Sequence, residues 1–512
     1  VPVDEYVTGM PAVNPEALGS LLEDNAGGRP DLILLPQYVI GDISSDTGRK
    51  ILDALCRFSI KNNCYIVCNY LKEDKKGKYC ISRIISRSGE TAGEYCKTHK
   101  IEGMDPDISL GDDLPVFELD FGRVALLAGT DVYFPEPAEI YSLKGAEMLL
   151  CSMGVEPLRD DSQIQKLMRA RAIEDYFYVA ASTYASTKKM YMTNNYPLFH
   201  NPSEEAYAGV NSPGSFNSNG LGLMTGRAVI YDLRGEILAS TGRESGFAVC
   251  NMDMDRKRKV RDYIYGTGRL LYHQNERGVF NGITGSYDYT KKEYPVKKPV
   301  ISLVHMSYKD SIGLPCLGGL ESQGVNYEKL FERIRQAAAS SDMVICSELS
   351  APGNRLDNAL LERYAACAKE YGCYLLINQE ISNINTSLIF DRSGKIVLRY
   401  EKVNTLNMMY ENKLPAGTEL PVAELDFGAV GVMVCADSYC QEIPRLLALK
   451  GAEIIILQSQ SWGYDAAAIN EGVSRSWAVE NCAYVIMSNF PSSQAAHRSN
   501  IIDPTGETVF AS

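Results

Sequence analysis

The stretch Gly431-Val-Met-Val-Cys435-Ala-Asp437-Ser-Tyr-Cys-Gln-Glu442-Ile-Pro444 decides the fold of this chain. Its apolar beginning predicts a buried strand, and the small polar residues that follow predict a turn. A helix is predicted from Glu442, with Pro444 in the first turn, where proline is tolerated. Cys435 therefore stands at a junction of strand and helix. A helix N-terminus favours the thiolate of such a cysteine, although a lone cysteine in a strand is more often a small core residue.

The same stretch occurs twice in the chain, and so do its surroundings. Glu118-Leu-Asp-Phe-Gly122 recurs 306 residues later as Glu424-Leu-Asp-Phe-Gly428. Leu143-Lys-Gly-Ala-Glu147 recurs at the same offset as Leu449-Lys-Gly-Ala-Glu453. So steady an offset indicates two copies of one fold, and 512 residues exceed one ordinary core. We predict one domain over residues 1–295 and a second over residues 296–512.

Strands and amphipathic helices alternate in each copy, which is typical of α/β layers. The first copy is longer: the step from Glu174 to Asp232 is 58 residues, whereas the step from Glu480 to Asp503 is 23. The extra residues fall in Lys188–Gly220, which we interpret as a lid or interface element rather than a solvated loop.

After this insertion the first copy continues into a predicted strand at Gly246–Met252 and a basic arm at Arg256–Arg261. The second copy stops before such a strand. We interpret the polar residues after the arm as an interdomain linker.

Composition excludes several classes of function. A net charge of −13 argues against binding of nucleic acid, and no apolar run is long enough for a membrane span. The 14 cysteines form no zinc-type pairs, and the five histidines are not at metal-ligand spacing, so no metal or other cofactor is expected. The absence of a signal peptide favours a cytoplasmic location.

Three polar residues of the second copy each follow a predicted strand: Glu348, Lys402 and Cys435. In layered α/β folds these strand ends face one crevice. Each charged residue taken singly is more often a surface residue. Together, a thiol, a carboxylate and an ammonium suffice for acyl transfer without histidine. Cys435 would attack a carbonyl or nitrile carbon, Glu348 would act as general base, and Lys402 with the N–H of Ala436 would stabilise the oxyanion.

The motifs around these residues resemble those of the nitrilase, or carbon–nitrogen hydrolase, superfamily. Asp342-Met-Val-Ile-Cys-Ser-Glu348 is similar to the family's glutamate motif, with Ser347 where proline is usual. Arg399-Tyr-Glu-Lys402 is similar to the lysine motif, and Gly431-Val-Met-Val-Cys-Ala-Asp437 to the cysteine motif. The resemblance implies tandem four-layer α-β-β-α sandwiches, packed as a pseudo-dimer. It also implies hydrolysis of non-peptide C–N bonds through a thioester, and a possible homo-oligomer.

The resemblance extends to further site residues. It implies a second active-site glutamate, for which Glu411 ahead of Gly417 is the candidate, and the alternative is an exposed loop acid. A small-molecule substrate is expected to contact Asp437, Tyr439 and Trp462, although Trp462 suits a packing role equally well.

The first copy has the surrounding residues of these motifs but lacks two of the three reactive side chains. Gln37 stands where the base belongs, and Gly129 stands where the nucleophile belongs, while Lys97 is kept. Thr130 and Cys96 could be considered as substitute nucleophiles, but each lies one position away from the place where the side chain is needed. We therefore expect the first domain to be a pseudoenzyme, kept as a scaffold or as a binding pocket.

The reaction itself is open at this point. Family members that hydrolyse nitriles usually carry Trp directly after the nucleophile, and Ala436 here favours an amidase or carbamoylase. Nitrile hydrolysis, acyl transfer to an amine and a non-catalytic ligand-binding protein are the alternatives. A cysteine–histidine hydrolase that uses His305 or His497 is a further one.

Overall fold

The computed structural model describes residues 5–7, 10–101, 105–154, 163–184, 190–191, 228–242, 246–255, 294–295, 298–305, 326–348, 355–405, 415–459, 472–489 and 499–511. The chain divides into two compact units, Val1–Arg261 and Asp262–Ser512, which we call unit 1 and unit 2. The boundary predicted between residues 295 and 296, and the pairing of the two copies as a pseudo-dimer, stay predictions.

Unit 1 alternates helices and strands. Its described helices are α1 (Pro15–Asn25), α2 (Asp46–Asn62), α3 (Pro135–Leu143) and α4 (Gln163–Asp175). Its described strands are β1 (Glu5–Val7), β2 (Met10–Ala12), β3 (Leu32–Leu34), β4 (Tyr65–Asp74), β5 (Gly77–Ile85), β6 (Thr91–Cys96), β7 (Phe117–Leu119), β8 (Gly122–Ala128), β9 (Met148–Ser152), β10 (Tyr178–Ser182), β11 (Met190–Tyr191), β12 (Val229–Tyr231) and β13 (Ile237–Ser240).

From its first described helix onward, unit 2 repeats the order of unit 1, with no counterpart of β11 among the described residues. Its described helices are α5 (Tyr327–Ala338), α6 (Asn358–Tyr371), α7 (Glu442–Leu449) and α8 (Ser474–Asn481). Its described strands are β14 (Ile301–Val304), β15 (Met343–Cys346), β16 (Tyr374–Ile381), β17 (Ile384–Phe390), β18 (Ile396–Glu401), β19 (Val422–Leu425), β20 (Gly428–Val434), β21 (Ile454–Ser459), β22 (Tyr484–Asn489), β23 (Asn500–Ile502) and β24 (Thr508–Ala511).

Unit 2 is a four-layer α-β-β-α sandwich. One sheet has the order β14-β15-β16-β17-β18 and the other the order β19-β20-β21-β22-β23-β24. The sheets face each other, because Ser387 on β17 donates a hydrogen bond to Gln458 on β21. Helices α5 and α6 pack on the first sheet, and α7 and α8 on the second. Strands β14–β16 and β20–β22 are parallel, so their carboxyl ends lie at the same edges.

Unit 1 has the same layers. Its two large sheets have the orders β3-β4-β5-β6 and β13-β12-β10-β9-β8-β7. Ser152 on β9 donates to the carbonyl of Leu35 just after β3, which joins the two sheets. The α/β sandwich predicted for both copies is therefore confirmed.

The local sequence explains where the helices begin and end. In α5, the side chain of Asn326 accepts from the N–H of Lys329 and caps the helix. In α6, Asp357 does the same for Leu360, and Gly372 ends the helix with a φ of 62°, a conformation that glycine adopts at little cost. Helix α6 therefore begins at Asn358, directly after this cap.

One arginine in each unit ties the two sheets at the same place. Arg392 bonds through its guanidinium to Asp342 at 2.8 Å and Asp426 at 2.7 Å. Arg87 does the same with Asp31 and Asp120, each at 2.8 Å. In each unit one aspartate lies beside a strand of the first sheet and the other beside a strand of the second sheet. The arginine therefore links the two sheets of the sandwich.

The structure describes the region of the predicted strand and part of the predicted insertion. No strand forms over the described residues Gly246–Met252, and Phe247 instead packs against the core of unit 1. Within Lys188–Gly220 the described part is β11, which pairs in parallel with β1. The rest of that insertion and the arm at 256–261 lie outside the described residues. None of the described helices combines the length and the apolar character that crossing a bilayer requires.

Candidate active site

Cys435 occupies a turn with unusual backbone geometry. It follows β20 directly, begins the 3-10 turn Cys435–Tyr439 and has a φ of 44°. A residue other than glycine in this left-handed conformation costs roughly 1 kcal/mol or more, so the surrounding structure must enforce it. The side chain of Cys435 is half-buried, as expected for a residue lifted out of the sheet at a strand end.

The carboxylate of Asp437 enforces this turn. Its Oδ2 accepts from the N–H of Val434 at 2.7 Å and from the hydroxyl of Tyr400 at 2.5 Å. Its Oδ1 accepts from the N–H of Asn404 at 2.8 Å. Burial raises the pKa of Asp437 to about 6, while the charge of Lys402 and these hydrogen bonds act in the opposite direction. Asp437 thus holds the turn, and its predicted contact with substrate stays a prediction.

Glu348 and Lys402 form a buried pair. Glu348 follows β15 and Lys402 follows β18, and their side chains are 3% and 1% exposed. Lys402 Nζ lies 3.5 Å from Glu348 Oε1. Asn385 on β17 donates its side-chain amide to the same oxygen at 2.9 Å. Buried charges persist where they are paired and hydrogen-bonded, and this pair meets both conditions.

The Cys435 turn lies against the segment that carries Lys402. The side chain of Asn404 donates to the carbonyl of Ala436 at 2.6 Å, and the charge of Lys402 acts on Asp437. The structure therefore brings Glu348 and Lys402 into contact and sets the turn of Cys435 against the residues that follow Lys402.

A network of buried amides and a hydroxyl supports this arrangement, and the sequence analysis missed its role. Its members are all 5% exposed or less: Asn378, Asn385, Ser387, Asn404 and Gln458. The signal was present, since polar side chains stand inside otherwise apolar strands. It is a weak signal, because the partners of such residues are not visible in the sequence.

The other predicted site residues are placed as follows. Ala436 is buried in the turn and Tyr439 is half-buried, while Glu411 and Trp462 lie outside the described residues. His305 Nε2 lies 2.5 Å from the hydroxyl of Ser499, and burial lowers the pKa of His305. His497 also lies outside the described residues.

Unit 1 has the same turn without the thiol. Gly129 has a φ of 52°, and Asp131 accepts from Tyr95, from the N–H of His99 and from the N–H of Ala128. A β-carbon at Gly129 would lie 2.4 Å from Oε1 of Gln37. Gln37 therefore fills the space that a nucleophile's side chain needs.

Lys97 of unit 1 is enclosed by acceptors. Its Nζ donates to the carbonyl of Ala128 and to Thr130 Oγ1, and lies 3.6 Å from Asp105 and 3.7 Å from Asp131. The hydroxyl of Thr130 donates to Asp105, so it is held within this group. Lys97 is thus neutralised by carboxylates of its own unit.

Cys96, the other conceivable substitute for a nucleophile in unit 1, is a poor one. Burial raises the pKa of its thiol to about 11, which disfavours the thiolate.

The described residues also bear on metal binding. They contain no group of three or more His, Cys, Asp or Glu side chains placed to hold a metal ion.

Comparison with known proteins identifies the family. The family model for carbon–nitrogen hydrolases matches residues 31–262 and 321–512, most of the chain and both units. The chain belongs to the carbon–nitrogen hydrolase family, as the motifs predicted.

Individual relatives are distant. A 2-oxoglutaramate amidase of Bacillus subtilis (strain 168) is 25% identical over 267 residues, which cover 50% of this chain and 90% of the relative. An omega-amidase of Saccharomyces cerevisiae is 30% identical over 138 residues, 24% of this chain and 47% of the relative. A carbon–nitrogen hydrolase structure from Helicobacter pylori G27 is 17% identical, covers 53% of this chain and 96% of its own, and has a TM-score of 0.41.

Proposed function

We propose that unit 2 is a cysteine-dependent hydrolase of small amides and that unit 1 is its non-catalytic homologue. The observation that carries this proposal is the buried Glu348–Lys402 pair, 3.5 Å apart, next to the left-handed turn of Cys435. Unit 1 has Gln37 and Gly129 in the corresponding positions and so has neither base nor nucleophile.

The reaction begins with proton transfer. The thiol proton of Cys435 moves to the carboxylate of Glu348, and the thiolate forms a bond to the carbonyl carbon. Lys402 and the N–H of Ala436 stabilise the oxyanion that develops. The C–N bond then breaks, Glu348 returns the proton to the leaving nitrogen, and an acyl thioester remains on Cys435.

Water completes the cycle. Glu348 takes a proton from the attacking water, the C–S bond breaks, and the thiol re-forms as the carboxylic acid leaves. The net reaction converts an amide and water into a carboxylic acid and ammonia or an amine. All atoms and protons of this reaction are accounted for by the amide, water and the side chains named above.

An amide is the favoured substrate for two reasons. Both curated relatives described above are amidases by name. Ala436 occupies the position after the nucleophile, where the family's nitrile hydrolases usually carry Trp. Carbamoyl substrates contain the same C–N bond and belong to the same proposal, and a nitrile or an acyl-accepting amine is an alternative for the same three residues.

The role proposed for Glu411 draws support from unit 1. Gly111 and Gly417 each donate a backbone N–H to the carbonyl of the lysine, at 2.8 and 2.9 Å, so they correspond. Asp105 precedes Gly111 by as many residues as Glu411 precedes Gly417. Because Asp105 lies 3.6 Å from Lys97 in unit 1, we propose by analogy that Glu411 is an active-site acid near Lys402. We retain Tyr439 and Trp462 as proposed substrate contacts.

The test begins with ammonia release from a panel of small amides, ureido acids and nitriles. Iodoacetamide labelling, read by peptide mass spectrometry, then compares wild type with Glu348→Gln. We expect turnover of at least one amide, and labelling of Cys435 that slows in the variant because the base is lost.

Two results would overturn the proposal. One is Cys435 that resists alkylation, together with no release from any compound, which favours the ligand-binding alternative. The other is full activity in Glu348→Gln. Acyl transfer is distinguished by turnover that requires an added amine. The matched control is Gln37→Glu, the reverse change at the corresponding position of unit 1, which should leave both readouts unchanged.

A further inference from the structure

Asn385 makes a contact that the proposed reaction does not yet use. It lies on β17, is 1% exposed and donates its side-chain amide to Glu348 Oε1 at 2.9 Å. A hydrogen bond to a buried carboxylate favours the charged over the protonated form. Since Lys402 approaches the same oxygen, Oε1 is occupied by two donors.

The orientation of the Asn385 amide is fixed from the other side. Its Oδ1 accepts from Nδ2 of Asn378 at 2.7 Å, and Asn378 also donates to the hydroxyl of Ser387 at 3.1 Å. A flipped amide would turn an oxygen toward the carboxylate and an N–H toward Asn378, and both buried hydrogen bonds would be lost. The N–H of Asn385 is therefore locked toward Glu348.

The same network reaches the strands that carry the base and the nucleophile. Ser387 donates to Oε1 of Gln458 at 2.6 Å, and Nε2 of Gln458 donates to the carbonyl of Cys346 at 2.7 Å. Cys346 ends the strand before Glu348. Gln458 pairs in register with Val434, the residue before Cys435. The network thus sets the position of the base relative to the turn of the nucleophile.

Unit 1 lacks this donor where it lacks the acid. Cys80 corresponds to Asn385, because it precedes Ser82 as Asn385 precedes Ser387 on the matching strand. Burial raises the pKa of the Cys80 thiol, whose sulfur accepts from the side-chain amides of Asn69 at 3.4 Å and Gln37 at 3.7 Å. The Asn69–Ser82 bond, the counterpart of Asn378–Ser387, is kept at 2.9 Å. Both units therefore have the Asn–Ser hydrogen bond, and in unit 2 the further asparagine, Asn385, occurs together with the carboxylate of Glu348.

We infer that Asn385 is a positioning residue of unit 2, which keeps the Glu348 carboxylate ionised and oriented to accept the proton of Cys435. This inference rests on the proposed function. The proton leaves Sγ of Cys435 and bonds to the carboxylate of Glu348, and Asn385 exchanges no proton.

Other charges face this site, and a substitution at position 385 leaves them in place. Lys402 on the neighbouring segment favours the ionised carboxylate, and Asp437 lies beyond it in the Cys435 turn. Glu380 lies opposite Asn385 on β16 and is paired with Arg355 at 2.9 Å. The effect of changing Asn385 can therefore be assigned to its own hydrogen bond.

The experiment measures the rate of iodoacetamide alkylation of Cys435 as a function of pH, by peptide mass spectrometry on the full chain. Asn385→Leu removes the donor and should move the acid limb of the profile upward by about one pH unit. Asn385→Asp is nearly the same size and sets a second carboxylate against Glu348, so it should move the limb further in the same direction. Cys80→Ala in unit 1 is the control and should reproduce the wild-type profile.

The outcomes separate this inference from the proposed function. If Glu348→Gln changes the profile while both Asn385 variants match wild type, Asn385 has no positioning role and the proposed function stands. If Glu348→Gln also matches wild type, the base assignment itself has failed. Since a purely structural role lowers thermal stability without moving the limb, a melting curve for each variant completes the test. Should Asn385→Leu not fold, the near-isosteric Asn385→Asp decides the matter.

Discussion

The turn after the central strand is built alike in the two units and used differently. Asp131 and Asp437 each accept from the strand that precedes the turn and from a buried tyrosine. In both units the residue at the bend has a left-handed backbone, with φ of 52° at Gly129 and 44° at Cys435. Glycine adopts this conformation without strain, whereas cysteine does so at a cost. Unit 2 therefore accepts a strain that unit 1 lacks, and a thiol stands at that point.

The two units share several contacts outside this turn. Arg87 and Arg392 make the same pair of carboxylate contacts in their units. The lysines Lys97 and Lys402 are both buried. The units thus share the arginine contacts and the buried lysine, and they differ at Glu348, Cys435 and Asn385, where unit 1 has Gln37, Gly129 and Cys80.

The largest effect is expected from the thiol itself. Cys435→Ala should lower amide turnover by at least about 10,000-fold, because the covalent step is lost. The fold should be unchanged, as judged by circular dichroism, since alanine leaves the turn intact. Cys96→Ala beside the lysine of unit 1 is the matched control and should retain full activity. Persistent turnover in Cys435→Ala would refute the assignment of the nucleophile.

The second comparison concerns the two lysines. Lys97→Met leaves Asp105 and Asp131 buried without their cation, which should cost unit 1 about 3–5 kcal/mol. Activity per folded molecule should be unaffected. Lys402→Met should reduce turnover in addition to stability, because Lys402 is proposed to stabilise the oxyanion. Urea unfolding with parallel ammonia assays checks both variants, and equal losses of activity would contradict the division of roles.

A third change tests whether unit 1 has room for a nucleophilic side chain at position 129. Gly129→Cys should create no second reactive site and should destabilise unit 1 by about 1–3 kcal/mol, because the new side chain meets Gln37. Combining it with Gln37→Ala frees that space and should recover part of the loss. Thermal unfolding and iodoacetamide labelling measure the two effects. Rapid labelling at position 129 in the single variant would show that the pocket is open.

A pH dependence of stability is expected in unit 2, spread over about two pH units. The pKa of Asp437 is raised from 3.8 to about 6, so the protonated carboxyl is favoured in the folded state. Its contribution to stability is complete below 3.8 and is lost as the pH rises through about 6. The difference in unfolding free energy between wild type and Asp437→Asn should change across this window at up to about 1.4 kcal/mol per pH unit. A constant difference would show that Asp437 does not titrate there.

Several parts of this site could be read from the sequence because each is a local pattern. Glu348, Lys402 and Cys435 each follow a strand, and in layered α/β folds the carboxyl ends of the strands face one crevice. The absence of a carboxylate and a thiol in the first copy was equally visible, since Gln37 and Gly129 occupy the matching positions. The cap at Asp357 and the missing strand at Gly246–Met252 were not predicted. The cap depends on the orientation of the Asp357 side chain toward the N–H of Leu360, and the missing strand on the packing of Phe247 against the core of unit 1.

By itself the sequence determined the duplication, the α/β alternation and the three chemical groups, because repeats and apolar periodicity are properties of residues close together in the chain. Tertiary structure alone decided that Asn385 donates to Glu348, that Asp437 holds the Cys435 turn and that Gln37 lies beside Gly129. Each of these depends on side chains from strands far apart in sequence, as with Ser387 and Gln458, 71 residues apart. Burial then makes their partners obligatory, since a polar group withdrawn from water must find its hydrogen bond inside the protein.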